Sequence, residues 1–332
     1  MASVLTVILN WRTPDMTIRS AEAAIAAMTG IEGGIVIVDN DSGDGSEAML
    51  RAAVAERGWD RVRVIQSGRN GGFGAGNNVG IRAGLGAGGR PDHVYLLNSD
   101  AFPAADAIRN LLDHMEQHPR TGLAGSFIHG TDDVPHVTGF RFPSVASEFE
   151  GGAQTGPISK LMRHAVIPQP IPSQTTPMDW VAGASVMMRQ DMLDEIGAFD
   201  EGYFLYYEET DLCLRAARAG WRTDYVPASR VAHIGSVSTG MKEWARTPAY
   251  WFDSRWRYFR KNHGLGTAVA ATLAQLAGLT INRLRVALGS SRRSGGPHFM
   301  RDLLAHDIRA LATGIRPAAI HPDAASVTKR TT

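Results

Sequence analysis

The chain has 332 residues, 44% of them hydrophobic and 20% charged. That is ordinary globular composition, with room for one large α/β domain plus appendages or for two domains. Its single cysteine, Cys213, excludes an internal disulfide and a cysteine-rich zinc site. The net charge of +1 hides an asymmetry: 18 basic against 28 acidic residues up to position 228, a balance of −10, then 16 against 5 from 229 onward, a balance of +11. An acidic body with a basic tail suits an anionic partner such as nucleic acid or a phospholipid surface; the plainer alternative is a solvated basic helix face.

The opening Met1-Ala-Ser-Val-Leu-Thr-Val-Ile-Leu-Asn10 lacks a basic leader. It reads as a first strand, Val4 to Asn10, and predicts a cytoplasmic protein. Pro14 opens a helix to about Met28. A second strand, Gly34 to Val38, runs into the turn-rich Asp39–Ser46, and a helix follows to about Arg57. A third strand, Arg61 to Gln66, leads to a glycine-rich loop, Asn70–Asn78, and a helix to Leu85. The apolar run Val94–Leu97 enters Asn98-Ser99-Asp100, and a helix covers about Ala104 to Gln117. Strand and helix alternate through four units, which predicts a parallel sheet with right-handed crossovers.

From Gly130 to Pro177 glycine, proline, serine and glutamine are frequent, and an irregular insertion or mobile lid is expected. Order resumes at Met178–Gly183 and Ala184–Met188, with a short helix at Asp191–Ile196 and another from the Glu208 cluster to about Ala219. Thr223–Val226 and Arg230–Ala232 read as short strands ending near His233. Trp251–Asn262 is an aromatic, basic helix. Gly264–Ile281 is uncharged and weakly apolar, at the lower edge of a membrane span. A linker, Ser290–Pro297, precedes a last amphipathic helix, His298–Thr313.

Ligands bind open α/β sheets just past the carboxyl ends of the strands. Asp100 is therefore placed where a carboxylate would ligate Mg²⁺ or Mn²⁺ shared with a diphosphate, with Asn98 beside it. An Asx turn or helix cap is the alternative. Asp39, at another strand end, would accept hydrogen bonds from a base or ribose, or serve only as a turn acid. The glycine-rich loop suggests backbone amides approaching a phosphate or sugar. It lacks the Gly-x-Gly-x-x-Gly spacing, which disfavours NAD, and no Walker A sequence occurs. Glu208, Glu209 and Asp211 raise one another's proton affinity, which suits a general base, although Asp211 and Arg215 are four apart and so placed to pair. His233 is a candidate metal or phosphate ligand, or a packed histidine.

Taken in order, several stretches resemble one family. They are Val7–Trp11, Val36–Asn40, Arg69–Asn78, Leu96–Asp100, Trp180–Ala184, Gly197–Glu201, Phe204–Arg215 and His233–Ser236. The chain is similar to family 2 glycosyltransferases of the GT-A fold, in the rhamnosyltransferase-like bacterial branch, over about residues 1–265. The resemblance implies a mainly parallel central sheet flanked by helices, with a nucleotide-binding half at about 1–125 and an acceptor and catalytic half at about 178–264. A helical tail, 265–332, would follow.

The same resemblance implies roles for single residues. Asp39, Asn40, Asn70, Gly72, Phe73 and Asn98 would line the nucleotide-sugar pocket, and Asp100 with His233 would hold the metal. Trp180, Gly183 and Asp211 would shape the acceptor side, and Glu209 or Glu208 would be the base. The metal motif begins with Asn98 where the family usually has Asp, and Glu209 stands where Asp often follows Glu.

An inverting hexosyl transfer is the implied reaction. The donor would be a nucleotide sugar such as dTDP-L-rhamnose, and the acceptor a lipid-linked saccharide or polysaccharide in cell-envelope assembly. The basic tail, with Trp251, Trp256, Tyr258 and Phe259, would contact an anionic inner membrane face, or simply form a helical cap. Two rivals are a non-catalytic saccharide-binding module and a nucleic-acid binder. The acidic front disfavours the second, and no nucleic acid is expected as a partner.

Overall fold

In the computed structural model, which describes residues 2–86, 89–235, 246–289 and 294–313, the chain begins with β1 (Ser3–Asn10) and α1 (Pro14–Ala27). It continues through β2 (Glu32–Asp39), α2 (Ser46–Glu56), β3 (Val62–Gln66), α3 (Phe73–Ala83), β4 (His93–Asn98), β5 (Ala101–Pro103), α4 (Ala107–Gln117), β6 (Thr121–His129) and β7 (Gly139–Phe140). Next come α5 (Val145–Ala153), α6 (Gly156–Leu161), β8 (Thr176–Met178), β9 (Trp180–Val181), β10 (Ser185–Arg189), α7 (Gln190–Ile196), α8 (Glu208–Arg218) and β11 (Arg222–His233). Three helices end the described chain: α9 (Ala249–His263), α10 (Leu265–Ala287) and α11 (Phe299–Thr313). Ser236, residues 290–293 of the expected linker and the tail from 314 lie outside the described residues.

The residues group into two compact units: Met1–Phe140, Pro170–Glu201 and Glu208–Thr239 form the first, and Arg141–Gln169, Gly202–Tyr207 and Gly240–Thr332 the second. The boundary expected at 264/265 falls inside the second unit, because α9 packs with α10 and α11.

The first unit is built on a nine-stranded sheet ordered β3-β2-β1-β4-β10-β6-β11-β5, with β8 paired to β11. β1 pairs in parallel with β2 and β4, as their continuous apolar runs require of strands covered on both faces, and the edge strand β3, with alternating burial, pairs in parallel with β2. Beyond β4 the sheet is mixed: β10 runs antiparallel to both β4 and β6, while β11 runs parallel to β6. The two short strands expected at 223–226 and 230–232 are one strand, β11, whose register slips between Val226 and Arg230. Val4, Ile8, Ile37, Tyr95, Leu97 and Met187 form the centre of the core, against α1 and α4.

Asp100 lies in a turn followed by β5 and not by a helix; α4 begins only at Ala107. The expected helix boundary missed this because β5 pairs with β11, more than a hundred residues away. The glycine-rich stretch is likewise largely helical. Gly76 and Gly80 lie on the face of α3 turned to β1, where a Cβ would come within 2.5 Å of Leu9 and 2.4 Å of Val7. These glycines therefore serve close helix–sheet packing.

In the second unit, the stretch expected to be an irregular lid contains two capped helices. Ser144 and Ser147 form a reciprocal cap on α5, and the Thr155 hydroxyl accepts from the Ile158 N–H at the start of α6. α5 crosses α10 at Gly152 and Gly278; a Cβ on Gly278 would lie 2.3 Å from the Phe149 carbonyl oxygen. Arg255 of α9 is fully buried and bonded to Glu148 at 2.7 Å and Asp307 at 3.3 Å, so both acids are compensated. Trp256, Tyr258 and Phe259 are buried and Phe252 packs with Leu279, Phe299 and Leu303. The aromatic residues expected at a membrane interface are thus the unit's interior, with only Trp251 half-buried.

Candidate active site

The carboxyl ends of β1, β2 and β4 in the first unit form one polar edge, and the predicted residues divide into those that organise it and those that face outward from it. Asp39 is buried, and its carboxylate has four protein donors. Oδ1 accepts from Asn10 Nδ2 at 2.7 Å and Ser42 Oγ at 2.5 Å, and Oδ2 from the Ser42 N–H at 3.2 Å and Gln66 Nε2 at 2.9 Å. These fill the roughly four acceptor positions of a carboxylate. Asp39 therefore holds the turn after β2, and contact with a base would require one of those donors to yield.

Asn40, also buried, donates to Asn70 Oδ1 at 3.0 Å and to the Gly72 carbonyl at 3.2 Å, while Gly72 N–H donates to Asn70 Oδ1 at 3.1 Å. Asn40 Oδ1 is buried without a hydrogen-bond partner. Gly72 has φ +88°, a left-handed conformation that a side chain resists, and it turns the chain into α3 at Phe73. Asn40, Asn70 and Gly72 are thus one hydrogen-bonded cluster, with Phe73 next in the chain.

The Asp100 side chain is held on both oxygens: Oδ1 lies 3.0 Å from His233 Nε2, and Oδ2 accepts the Gly235 N–H at 3.1 Å. Asn98 Nδ2 lies 3.4 Å from the same His233 nitrogen. A two-residue cation site is a small donor set, and no group of three or more His, Cys, Asp or Glu is arranged around a metal among the described residues. It fits Mg²⁺ or Mn²⁺ nevertheless. Ions of this kind take one or two protein ligands and fill the rest with phosphate and water.

Hydrogen bonds tie Glu209 to this edge. Asn98 N–H donates to the Ala184 carbonyl at 3.0 Å, and the neighbouring Gly183 N–H donates to Glu209 Oε1 at 3.2 Å. An unbroken path of bonded residues therefore joins Asp100, His233, Asn98, Ala184, Gly183 and Glu209. Glu209 is half-buried near the start of α8, and burial raises its carboxyl above the usual glutamate range against the pull of its own N–H and that of Gly183. A Cβ on Gly183 would meet Glu209 Oε1 at 2.9 Å and Phe73 Cε1 at 3.1 Å, so both side chains pack against Gly183.

Glu208 and Asp211 face the interior. Glu208 is buried, with its Cβ 3.6 Å from where a Cβ on Gly74 would be. Asp211 is fully buried and pairs with Arg215 at 2.9 Å, and that guanidinium donates to the carbonyls of Ile196, Gly197 and Ala198. The Asp211–Arg215 pair is the one their spacing of four allowed. Trp180, in β9, stacks on Phe140 with centroids 4.2 Å apart and is half-buried.

The residues not singled out from sequence are those that hold the others. Phe199 meets Phe73 edge-on at 6.1 Å, and the buried Asn78 amide both donates to the Phe199 carbonyl and accepts its N–H, at 2.9 and 3.1 Å. Both lie in stretches that carried the resemblance; a buried amide in a helix next to a phenylalanine turn was the available signal.

The family model described as glycosyltransferase like family 2 matches residues 2–264. Among similar proteins is the N-acetylglucosaminyl-diphospho-decaprenol L-rhamnosyltransferase of Mycobacterium tuberculosis, 30% identical over 72% of this chain and 79% of that one. Rhamnosyltransferase WbbL of Escherichia coli is 29% identical over 49% of this chain and 60% of its own. A mannosyltransferase from Pyrobaculum calidifontis, solved with GDP-Man and Mn²⁺, superposes with a TM-score of 0.56 at 14% identity, over 98% of this chain and 82% of that one. That likeness establishes the GT-A fold. With a family model spanning residues 2–264, the chain belongs to the family 2 glycosyltransferases.

Proposed function

We propose that the protein transfers a sugar, with inversion, from a nucleoside-diphosphate sugar to a hydroxyl of a lipid-linked saccharide in cell-envelope glycan assembly. The donor favoured is dTDP-L-rhamnose, in keeping with the two rhamnosyltransferases it is similar to. The observation that supports the proposal is the bonded path from Asp100 to Glu209, which links the residues that would hold the cation to the residue that would accept the proton.

Asp100 and His233 are the residues that would hold Mg²⁺ or Mn²⁺, and the bound ion would neutralise charge building on the leaving diphosphate. Asn40, Asn70, Gly72 and Phe73 border the nucleotide sugar. Asp39 keeps the loop after β2 in place through its bonds to Asn10, Ser42 and Gln66. Glu209 takes the proton of the acceptor hydroxyl as that oxygen bonds to the anomeric carbon. The bond from that carbon to the diphosphate breaks on the opposite face, and its electron pair leaves with the nucleotide. Gly183 N–H holds one Glu209 oxygen and so orients the carboxylate that receives the proton. Trp180 and its partner Phe140 offer an aromatic face to the acceptor sugar. The lipid-linked acceptor and the basic C-terminal segment favour action at the cytoplasmic face of a membrane.

A screen of nucleotide sugars for thermal stabilisation with and without Mn²⁺ tests the proposal, because a ligand that binds only the native state raises its melting point. dTDP-L-rhamnose should stabilise only in the presence of the cation. Stabilisation by no nucleotide sugar under either condition would remove the donor assignment.

A further inference from the structure

The second unit carries an apolar surface that its own core does not use. On α11, Phe299, Leu303, Asp307 and Ala310 are buried, while Leu304, Ile308 and Leu311, at spacings of four and three, stay exposed, Ile308 by 57%. This is one helical stripe facing away from the packed side. α10 repeats the pattern: Leu273 and Leu284 are each 61% exposed and Leu288, just past its end, 87%. Single exposed leucines are ordinary on soluble proteins; aligned stripes on two helices of one unit are not.

The charge beside these stripes has one sign. α10 contains no acidic residue and exposes Arg283. α11 exposes Arg301 and Arg309, whereas its two acids are taken: Asp302 by Arg246 and Arg301, and Asp307 by Arg255 and Thr272 in the interior. An apolar stripe flanked by arginines fits an anionic bilayer, with leucines at the acyl boundary and guanidinium groups at phosphates. A second copy of the chain fits less well, since a two-fold contact would set these arginines against one another with no free carboxylate between them. α10 is the one helix among the described residues long and apolar enough to cross a membrane. Its other side is committed to the unit, however: Asn282 donates to the Ala153 carbonyl at 3.2 Å, and Gly278 packs on α5.

We propose that the second unit docks peripherally on an anionic phospholipid surface through the exposed stripes of α10 and α11. The contact is made by Leu273, Leu284, Leu288, Leu304, Ile308 and Leu311 with Arg283, Arg301 and Arg309. The proposal rests on the membrane-face reading above and moves the contact from the α9 aromatics, which are interior, to these stripes.

Flotation of the full chain with phosphatidylglycerol vesicles, against phosphatidylcholine vesicles, tests it. The wild type should float with the anionic vesicles only and be released by alkaline carbonate. L304S/I308S/L311S should lower the bound fraction about tenfold or more while keeping the wild-type melting temperature, and R283E/R309E should lower it without touching the stripe. Equal flotation of the variants, no flotation of the wild type, resistance to carbonate, or a dimer abolished by L304S/I308S/L311S while flotation persists would each overturn it. Transfer to a short-chain, water-soluble acceptor, measured on the same variants, should be unchanged. Vesicle binding without any transfer would instead fault the enzymatic reading and leave the docking surface standing.

Discussion

Gly183→Ala is a small change aimed at one contact. The Gly183 backbone is compatible with any side chain, so the added methyl introduces no backbone strain. It would instead lie 2.9 Å from Glu209 Oε1, 3.0 Å from Glu209 Cγ and 3.1 Å from Phe73 Cε1, where ordinary contacts begin at 3.4 Å. The carboxylate must retreat by roughly half an ångström, and its bond from the Gly183 N–H goes with it. A misplacement of about 1 Å at a reacting group costs about 10²-fold, so half of that predicts about a tenfold fall in kcat. Because the displaced neighbour is a half-buried side chain, the stability loss should stay near about 1 kcal/mol, the low end of overpacking. Steady-state transfer assays with calorimetric donor binding separate the effects: kcat should drop while donor affinity holds. A Gly183→Ala protein with wild-type kcat would show that the position of Glu209 does not limit the reaction.

Other expectations follow from the same geometry. Asp100→Asn, which keeps the shape but removes the charge facing His233, should abolish Mn²⁺-dependent stabilisation by the donor; a thermal shift equal to wild type would remove Asp100 from the cation site. In the second unit, burial opposes protonation of His306, but its bonds to Asp253 and Asp307 prevail and raise its pKa to about 9. A histidine raised above its unfolded value of 6.5 contributes stability that is complete below that value and is lost as pH rises through about 9. Thermal unfolding should therefore show a fall between about pH 6.5 and about pH 9 that His306→Gln flattens; an unchanged slope would refute it.

Much of the fold was legible because it depends on local pattern. The runs Val4–Leu9, Ile35–Val38 and Val94–Leu97 could only be covered strands, and they form the parallel half of the sheet. What escaped depends on partners distant in sequence. β6 was not expected at all, and it exists by pairing with β10 and β11. The glycines of α3 looked like a loop because glycine disfavours helices, yet Leu9 and Val7 leave no room for anything larger. At the site, Asp100, His233, Gly183 and Glu209 are linked by one run of hydrogen bonds through Asn98 and Ala184. Asp39 and Asp211 do not present open carboxylates, because Asn10, Ser42, Gln66 and Arg215 reach them from elsewhere in the fold. Trp256 and Phe259 read as interfacial from composition and are interior, because Arg255 beside them is neutralised by Glu148 and Asp307 and that face of the helix can be buried.

The most direct measurement is single-turnover transfer by Glu209→Gln beside its donor affinity. The amide keeps the size of the side chain but cannot accept the proton, so turnover should fall by about 10²–10⁴-fold while the donor still binds with its cation. A Glu209→Gln protein that transfers sugar at the wild-type rate would contradict the account at its centre.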